Sequence, residues 1–259
     1  MTAREVALDN EILRGVVGST AHGTAIEGQD DRDEMGVFIE PPEYVCGLTP
    51  CDHYIYRDAA EGERSKPGDL DLTLYSLRKF CRLATQGNPS VIILLWLPQH
   101  LIEKTLGLSL KLMRSAFISR ESGKRFLGYL VAQKMKLKGE RAHTVNRPEL
   151  VEKYGYDTKF AMHALRLGFE GIQLLTERRL SLPVEEPNLT TLRAVRSGQV
   201  KFAEALQLIE DAEIKLRGLL DNFNVEADRD AINRFMVEAH QEHWQKNKEG
   251  WPSGLRQQS

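Results

Sequence analysis

Residues 18–38 read GSTAHGTAIEGQDDRDEMGVF, and the fold turns on how this stretch is understood. An apolar run at 12–17, broken only by Arg14 and Gly15, precedes it and predicts a buried strand. Gly18-Ser19 ends that strand in a way that suits a tight turn, where the backbone can come close to an anion. The acidic segment Asp30-Asp31-Arg32-Asp33 then leads into the apolar run 35–39, a second strand. Residues two apart on a strand share a face, so Asp31 and Asp33 point the same way. Two carboxylates on one face beside a Gly-Ser turn form the hard-oxygen set that Mg²⁺ takes together with phosphate oxygens. Acidic, glycine-containing stretches are also ordinary solvated loops, so the local pattern leaves both readings open.

Downstream, Asp69-Leu70-Asp71-Leu72-Thr73-Leu74-Tyr75 alternates with period two, the cleanest half-buried strand in the chain. Its leucines face the core, and Asp69, Asp71, Thr73 and Tyr75 share the other side. Either aspartate can extend the carboxylate pair, or that side is simply solvated. Between the two strands, Glu40-Pro41-Pro42-Glu43 must leave any sheet, because proline gives no ladder donor. Tyr54-Ile55-Tyr56 suits an edge strand, and 59–68 is a loop by composition. Ser76 caps a helix over 77–86, which Gly87-Asn88-Pro89 ends. The helix at 90–96 is apolar on nearly all sides and therefore buried.

From 101 to 139 the pattern is helical. Lys134, Lys136, Lys138, Arg141 and Arg147 form a basic run, by default a solvated face and alternatively a groove for a polynucleotide. In the stretch 154–175, Asp157 or Thr158 can cap a helix on which Lys159, His163 and Arg166 fall on one stripe. Within that helix the stripe has Glu170 beside Arg166 and no other acidic partner at i±4. Pro183 and Pro187 make 180–189 an extended connector. Then 190–198 reads as a short helix with Arg193 and Arg196 exposed, followed by amphipathic helices at 200–222 and 227–244. Strands before residue 76 and helices after it give an α+β fold, a mixed sheet followed by a helical region. The expected division is a core at 1–100, a helical region at 101–245 that completes the site, and a flexible tail at 246–259.

With 28% charged residues and a formal net charge of −2, the chain is no basic nucleic-acid coat. Any contact with nucleic acid must come from a local patch. Three cysteines, Cys46, Cys51 and Cys81, are too few for a disulfide framework and lack the spacing of a zinc site. The first residues have no apolar signal core and the longest apolar run, 91–97, is too short to span a bilayer. A cytoplasmic location with no membrane partner is expected.

The order G-S, spacer, D-x-D at a strand start resembles the DNA polymerase β-type nucleotidyltransferase superfamily. Within it the chain is most similar to the RNA-repair-pathway polymerase β family. The resemblance runs over 18–198 and includes the D-x-T-x-Y-S-L-R-K-F run headed by Asp71, the G-N-P before a hydrophobic helix, and K-F-A-M-H-x-L-R-L at 159–167. It implies a polymerase β-like sheet with flanking helices, and transfer of a nucleoside monophosphate from a nucleoside triphosphate to a hydroxyl, an RNA end being the expected acceptor. It favours Asp71 over Asp69 as the third carboxylate. Asp31 and Asp33 would bridge two Mg²⁺ ions, with Mn²⁺ the alternative metal, and Asp71 would hold the one that activates the acceptor. Gly18 and Ser19 would hold the β- and γ-phosphates, while Lys159 and Arg166 would face the acidic site and hold phosphate. His163 is open between direct chemistry and a structural place. The chain departs from the pattern at Asp30, where relatives carry a small polar residue, leaving a third charge that either tightens metal binding or faces solvent. Near Ile93 and Leu94 it lacks an acid that relatives place there. The competing functions are a nucleotide-binding module without turnover and a transferase that nucleotidylates a partner protein.

Overall fold

The computed structural model describes residues 1–26, 28, 30–60, 62–63, 65–140 and 147–247. Helix α1 (Ala3–Asp9) opens with reciprocal bonds between Thr2 and Glu5, a capping box. Strand β1 (Glu11–Val16), helix α2 (Gly18–His22) and strand β2 (Arg32–Phe38) follow. Helix α3 (Pro42–Cys46) begins on Pro42, where the absent N–H leaves no bond unmade. Strands β3 (His53–Arg57) and β4 (Leu70–Ser76) lead into α4 (Leu77–Thr85), whose Lys79 N–H donates to the Ser76 hydroxyl at 3.2 Å. Helix α5 (Pro89–Ile92) continues as a buried 3-10 turn, Ile93–Trp96. Strand β5 (Ile102–Glu103), α6 (Thr105–Leu112), α7 (Arg120–Leu137) and α8 (Pro148–Tyr154) come next. The chain then forms α9 (Thr158–Glu177), α10 (Asn188–Arg196), α11 (Phe202–Asn222) and α12 (Arg229–Lys246).

The five strands form one mixed sheet in the order β3-β4-β2-β1-β5. Strands β2 and β4 run parallel with Asp33 opposite Asp71, and the other neighbours are antiparallel. Strand β5 departs from the expectation that strands end before residue 76. It pairs Leu13 with Glu103 and Arg14 with Ile102, a ladder too short to leave a period-two signature. The sheet therefore takes one edge from beyond residue 100.

The two faces of the sheet are unequal. Met35 and Val37 of β2, with Tyr75 of β4, meet the main core, which α4, α5, α7, α9, α10 and α11 complete. On the other face Phe38, Leu72 and Leu74 close a small core with Val6 and Ala7 of α1. The alternating leucines of β4 thus fill the minor core, and the half-polar side of the strand turns toward the major one. Beside the minor core Arg14 bridges Glu11 at 2.6 Å and Glu34 at 3.3 Å, pairing two buried carboxylates.

Helix α9 runs through the helical region, capped by Asp157, whose carboxylate accepts from Phe160 N–H at 3.0 Å. A Cβ added at Gly168 would lie 2.7 Å from Ala212 Cβ and 3.0 Å from Leu130, so glycine is what lets α7, α9 and α11 approach so closely. Arg141 of the basic run lies outside the described residues, as do residues 248–259 of the tail. No helix among the described residues is long and apolar enough to cross a membrane.

Candidate active site

Asp33 is the second residue of β2 and Asp71 the second of β4, and the parallel register sets them side by side. Asp31 precedes β2 by one residue and shares the Asp33 side. One carboxylate oxygen from each of the three lies within 4.8 Å of the others, the only such cluster of three or more His, Cys, Asp or Glu side chains among the described residues. Asp69 is elsewhere, accepting from Lys66 N–H at 2.7 Å. Burial, together with the charges of Asp31 and Asp71, pushes the Asp33 carboxyl up to about 6, against a weaker opposing pull from Lys159. Three anionic oxygens that repel one another fit a small divalent cation such as Mg²⁺, which takes hard oxygen ligands and would relieve the repulsion.

Gly18 stands directly against this cluster. Its φ of +64° is the left-handed conformation glycine adopts without strain, and a Cβ there would fall 2.0 Å from Asp33 Oδ2. The expected turn is therefore also the first residue of α2. Ser19 follows, half-buried, and its hydroxyl makes no hydrogen bond among the described residues. A free hydroxyl and a close backbone beside carboxylates can accommodate the phosphates of a metal-bound nucleotide.

The basic stripe of α9 turns toward these elements, and it is not the unpaired stripe that the helix alone suggests. Lys159 Nζ lies 3.3 Å from Asp30 Oδ1. Arg166 donates to Glu170 at 2.8 Å, and its Nη1 is also 2.8 Å from His22 Nε2. His22 Nδ1 is 2.7 Å from the same glutamate. His22 and Glu170 are both 3% exposed, so this is a buried ionic contact fastening α2 to α9 rather than a surface pair. Burial favours the neutral acid, but the adjoining Arg166 charge and the hydrogen bonds from His22 and Arg166 hold the Glu170 carboxyl down to about 2. His163, with burial first and Arg166 second, has its imidazole pushed down to about 3 and is neutral at ordinary pH.

Asp30 corrects both sequence alternatives, because it neither joins the carboxylate cluster nor faces solvent. It is buried, accepting from Ile26 N–H at 2.7 Å and pairing Lys159 and Arg196 Nη2, the latter at 3.0 Å. Two cations and a backbone donor make its burial tolerable. Arg196 is likewise buried, 9% exposed where the sequence predicts exposure, whereas Arg193 is exposed and donates to Gly23 O at 2.9 Å. In the basic run, Lys134 binds Glu213 at 2.6 Å, Lys138 binds Glu140 at 2.8 Å, and Arg147 pairs with Asp157 at 3.3 Å.

Two residues at the site have no sequence signal. Arg57 donates to Asp71 Oδ2 at 2.9 Å, placed there by the pairing of Arg57 with Asp71 across β3 and β4. Ser65, from the loop before β4, lies 3.1 Å from each Asp71 oxygen. Asp71 is therefore the carboxylate with the most competing donors. A cleft of about 330 Å³ opens here, with Asp33, Asp71 and Arg57 at its polar side and Val17, Met35 and Ile55 at its apolar side.

The family model described as RlaP, the RNA repair pathway DNA polymerase beta family, matches residues 4–249. No curated protein matches the sequence. Among solved structures, a nucleotidyltransferase-like protein from Exiguobacterium sibiricum 255-15 is 13% identical over 93% of this chain and 77% of its own. Its TM-score of 0.31 is too low to carry an argument.

Proposed function

Because the chain belongs to the RNA repair pathway DNA polymerase beta family, we propose that it transfers a nucleoside monophosphate from a nucleoside triphosphate to a hydroxyl at an RNA end. The observation that carries this reading is the convergence of Asp31, Asp33 and Asp71 against Gly18 and Ser19.

In the reaction the acceptor oxygen bonds to the α-phosphorus, the bond to the bridging oxygen breaks, pyrophosphate leaves with that electron pair, and the acceptor proton passes to solvent. Asp31, Asp33 and Asp71 would hold two Mg²⁺ ions, or Mn²⁺, which when bound make the acceptor hydroxyl more acidic and offset charge on the leaving group. Gly18 and the Ser19 hydroxyl bind the β- and γ-phosphates. Lys159 exchanges part of its contact with Asp30 for a phosphate oxygen and offsets the growing negative charge. Arg166 adds a second cation, through whichever of its nitrogens Glu170 and His22 leave free, and those two residues fix its height on α9. Neutral His163 orients the substrate and does not exchange a proton with it.

Pyrophosphate release from pooled nucleoside triphosphates, with single-stranded RNA and Mg²⁺, tests the reading. Release that requires RNA and disappears in Asp33→Asn supports it. Nucleotide binding without release would make the chain a binding module, and release that requires a protein acceptor would make it a protein nucleotidylating enzyme.

A further inference from the structure

Away from the carboxylate cluster, α4 and α12 face each other across a groove of about 230 Å³. Arg78 and Arg82 stand one turn apart on α4, with Gln86 at its end, and Arg229 and Asn233 stand one turn apart on α12. Ile232, 3% exposed, is part of the apolar floor. Three guanidinium groups on one groove repel each other, and the protein does little to balance them. The nearest carboxylate to Arg78 is Glu40 Oε1 at 3.9 Å, and Glu40 is already bound to His240 at 3.2 Å. Neither Arg82 nor Arg229 has a carboxylate partner among the described residues. In a chain whose net charge is −2, this is a local concentration of positive charge in which two of the three guanidinium groups have no carboxylate partner among the described residues, with amide donors beside it.

We propose that this groove binds a backbone phosphate of the RNA acceptor, an inference that rests on the RNA-end reading above. Guanidinium groups suit phosphate because their donors lie in a planar fork that matches two of its oxygens. No aromatic ring lines the groove, so nothing stacks a base, and the contact registers the strand without reading its sequence. The location fits an acceptor strand. Asp71 lies near the start of β4, and α4 leaves from the opposite end of that strand, about 17 Å farther along at the usual rise per residue. Both α4 and Asp71 belong to the face of the sheet that carries the major core. A strand with its end among the carboxylates is thus held at a second point outside the cleft.

The test is fluorescence anisotropy of labelled single-stranded RNA with the full chain, in chelator and without nucleoside triphosphate, so that turnover plays no part. Arg82→Ala/Arg229→Ala should weaken binding about tenfold for unrelated sequences alike and lower the slope of log affinity against log salt by about one. Arg82→Lys/Arg229→Lys should keep part of the affinity, since the charge remains and the fork is lost. Lys201→Ala/Lys215→Ala, which removes the same charge from exposed positions on α11 and just before it, outside the groove lining, should leave affinity within about twofold. Unchanged affinity and slope in the Arg82/Arg229 alanine pair overturns the inference, including the case where inorganic phosphate binds the groove and RNA ignores it. A wild-type chain that binds no RNA overturns it as well. Failure of the transferase reading shows elsewhere, as absence of pyrophosphate release.

Discussion

Replacing Asp33 with Asn should stabilise the metal-free protein while removing its response to Mg²⁺. The Asp33 carboxyl is pushed from 3.8 to about 6, and about 1.4 kcal/mol per unit makes this a penalty of about 3 kcal/mol for the charged form. Asp33 is only half-buried, so solvent screening reduces the figure to about 1–2 kcal/mol. Coulomb's law gives a similar size, because each like charge within 4.8 Å costs about 1–2 kcal/mol at an effective dielectric of 40 to 80. Asn removes that repulsion and forfeits no hydrogen bond, since the Asp33 side chain makes none among the described residues. For a domain of this length the gain corresponds to a rise of about 3–6 °C in Tm, read by thermal melts in chelator at about pH 7.5.

The sign of the pH dependence follows from the raised value. Asp33's contribution to stability is intact below its ordinary value of 3.8 and is lost as pH rises through about 6. The gap between variant and wild type should therefore close on acidification toward pH 4.5 or so. Millimolar Mg²⁺ should raise the Tm of the wild type and leave that of the variant nearly unchanged. A variant that melts at or below the wild type in chelator near neutral pH would refute the account of three repelling carboxylates.

Gly18→Ala combines a φ of +64° with a Cβ 2.0 Å from Asp33 Oδ2, so it should lose about 2 kcal/mol or more and weaken Mg²⁺ binding, seen by urea denaturation and calorimetry. A wild-type-like midpoint would show that α2 can shift away from the carboxylates. Glu170→Ala leaves Arg166 buried without its counter-charge and should cost about 3–5 kcal/mol in the same denaturation experiment. Because the Glu170 carboxyl is held near 2, its contribution is present above its ordinary value of 4.5 and is lost as pH falls through about 2. An acid unfolding midpoint shared by variant and wild type would remove Glu170 from that role. Arg57→Ala touches an exposed ion pair, so stability should change by less than about 1 kcal/mol. Mg²⁺ affinity should rise, because a cation competing for Asp71 is gone; unchanged or weaker affinity in calorimetry would count against that competition.

The carboxylate cluster was legible because each part leaves a local trace. Asp31 and Asp33 stand two apart at a strand start, and Asp71 belongs to the clearest alternating strand in the chain, where the family resemblance separates it from Asp69 on the same face. What stayed hidden depends on partners far away in sequence. Asp30 looked like a spare charge because Lys159 is 129 residues from it and Arg196 is 166 away. Glu170 was visible as the neighbour of Arg166, but its depth was not, since His22 arrives from 144 residues before Arg166. Arg57 falls one residue past the expected edge strand 54–56, and only the register of β3 against β4 brings it to Asp71. Strand β5 offered two residues and no period at all.

The two faces of β4 bind the candidate site to a part of the molecule that touches no substrate. Side chains alternate along a strand, so a slip of one residue would turn Asp71 away from Asp33 and bring a leucine in its place. What forbids the slip is the small cluster behind the sheet, where Leu72 and Leu74 fit against Phe38, Val6 and Ala7. That cluster works as a gauge for ligand placement, and a change in Val6 or Ala7 of α1 can misaim a carboxylate it never meets. A single insertion inside β4 would separate the third carboxylate from the other two.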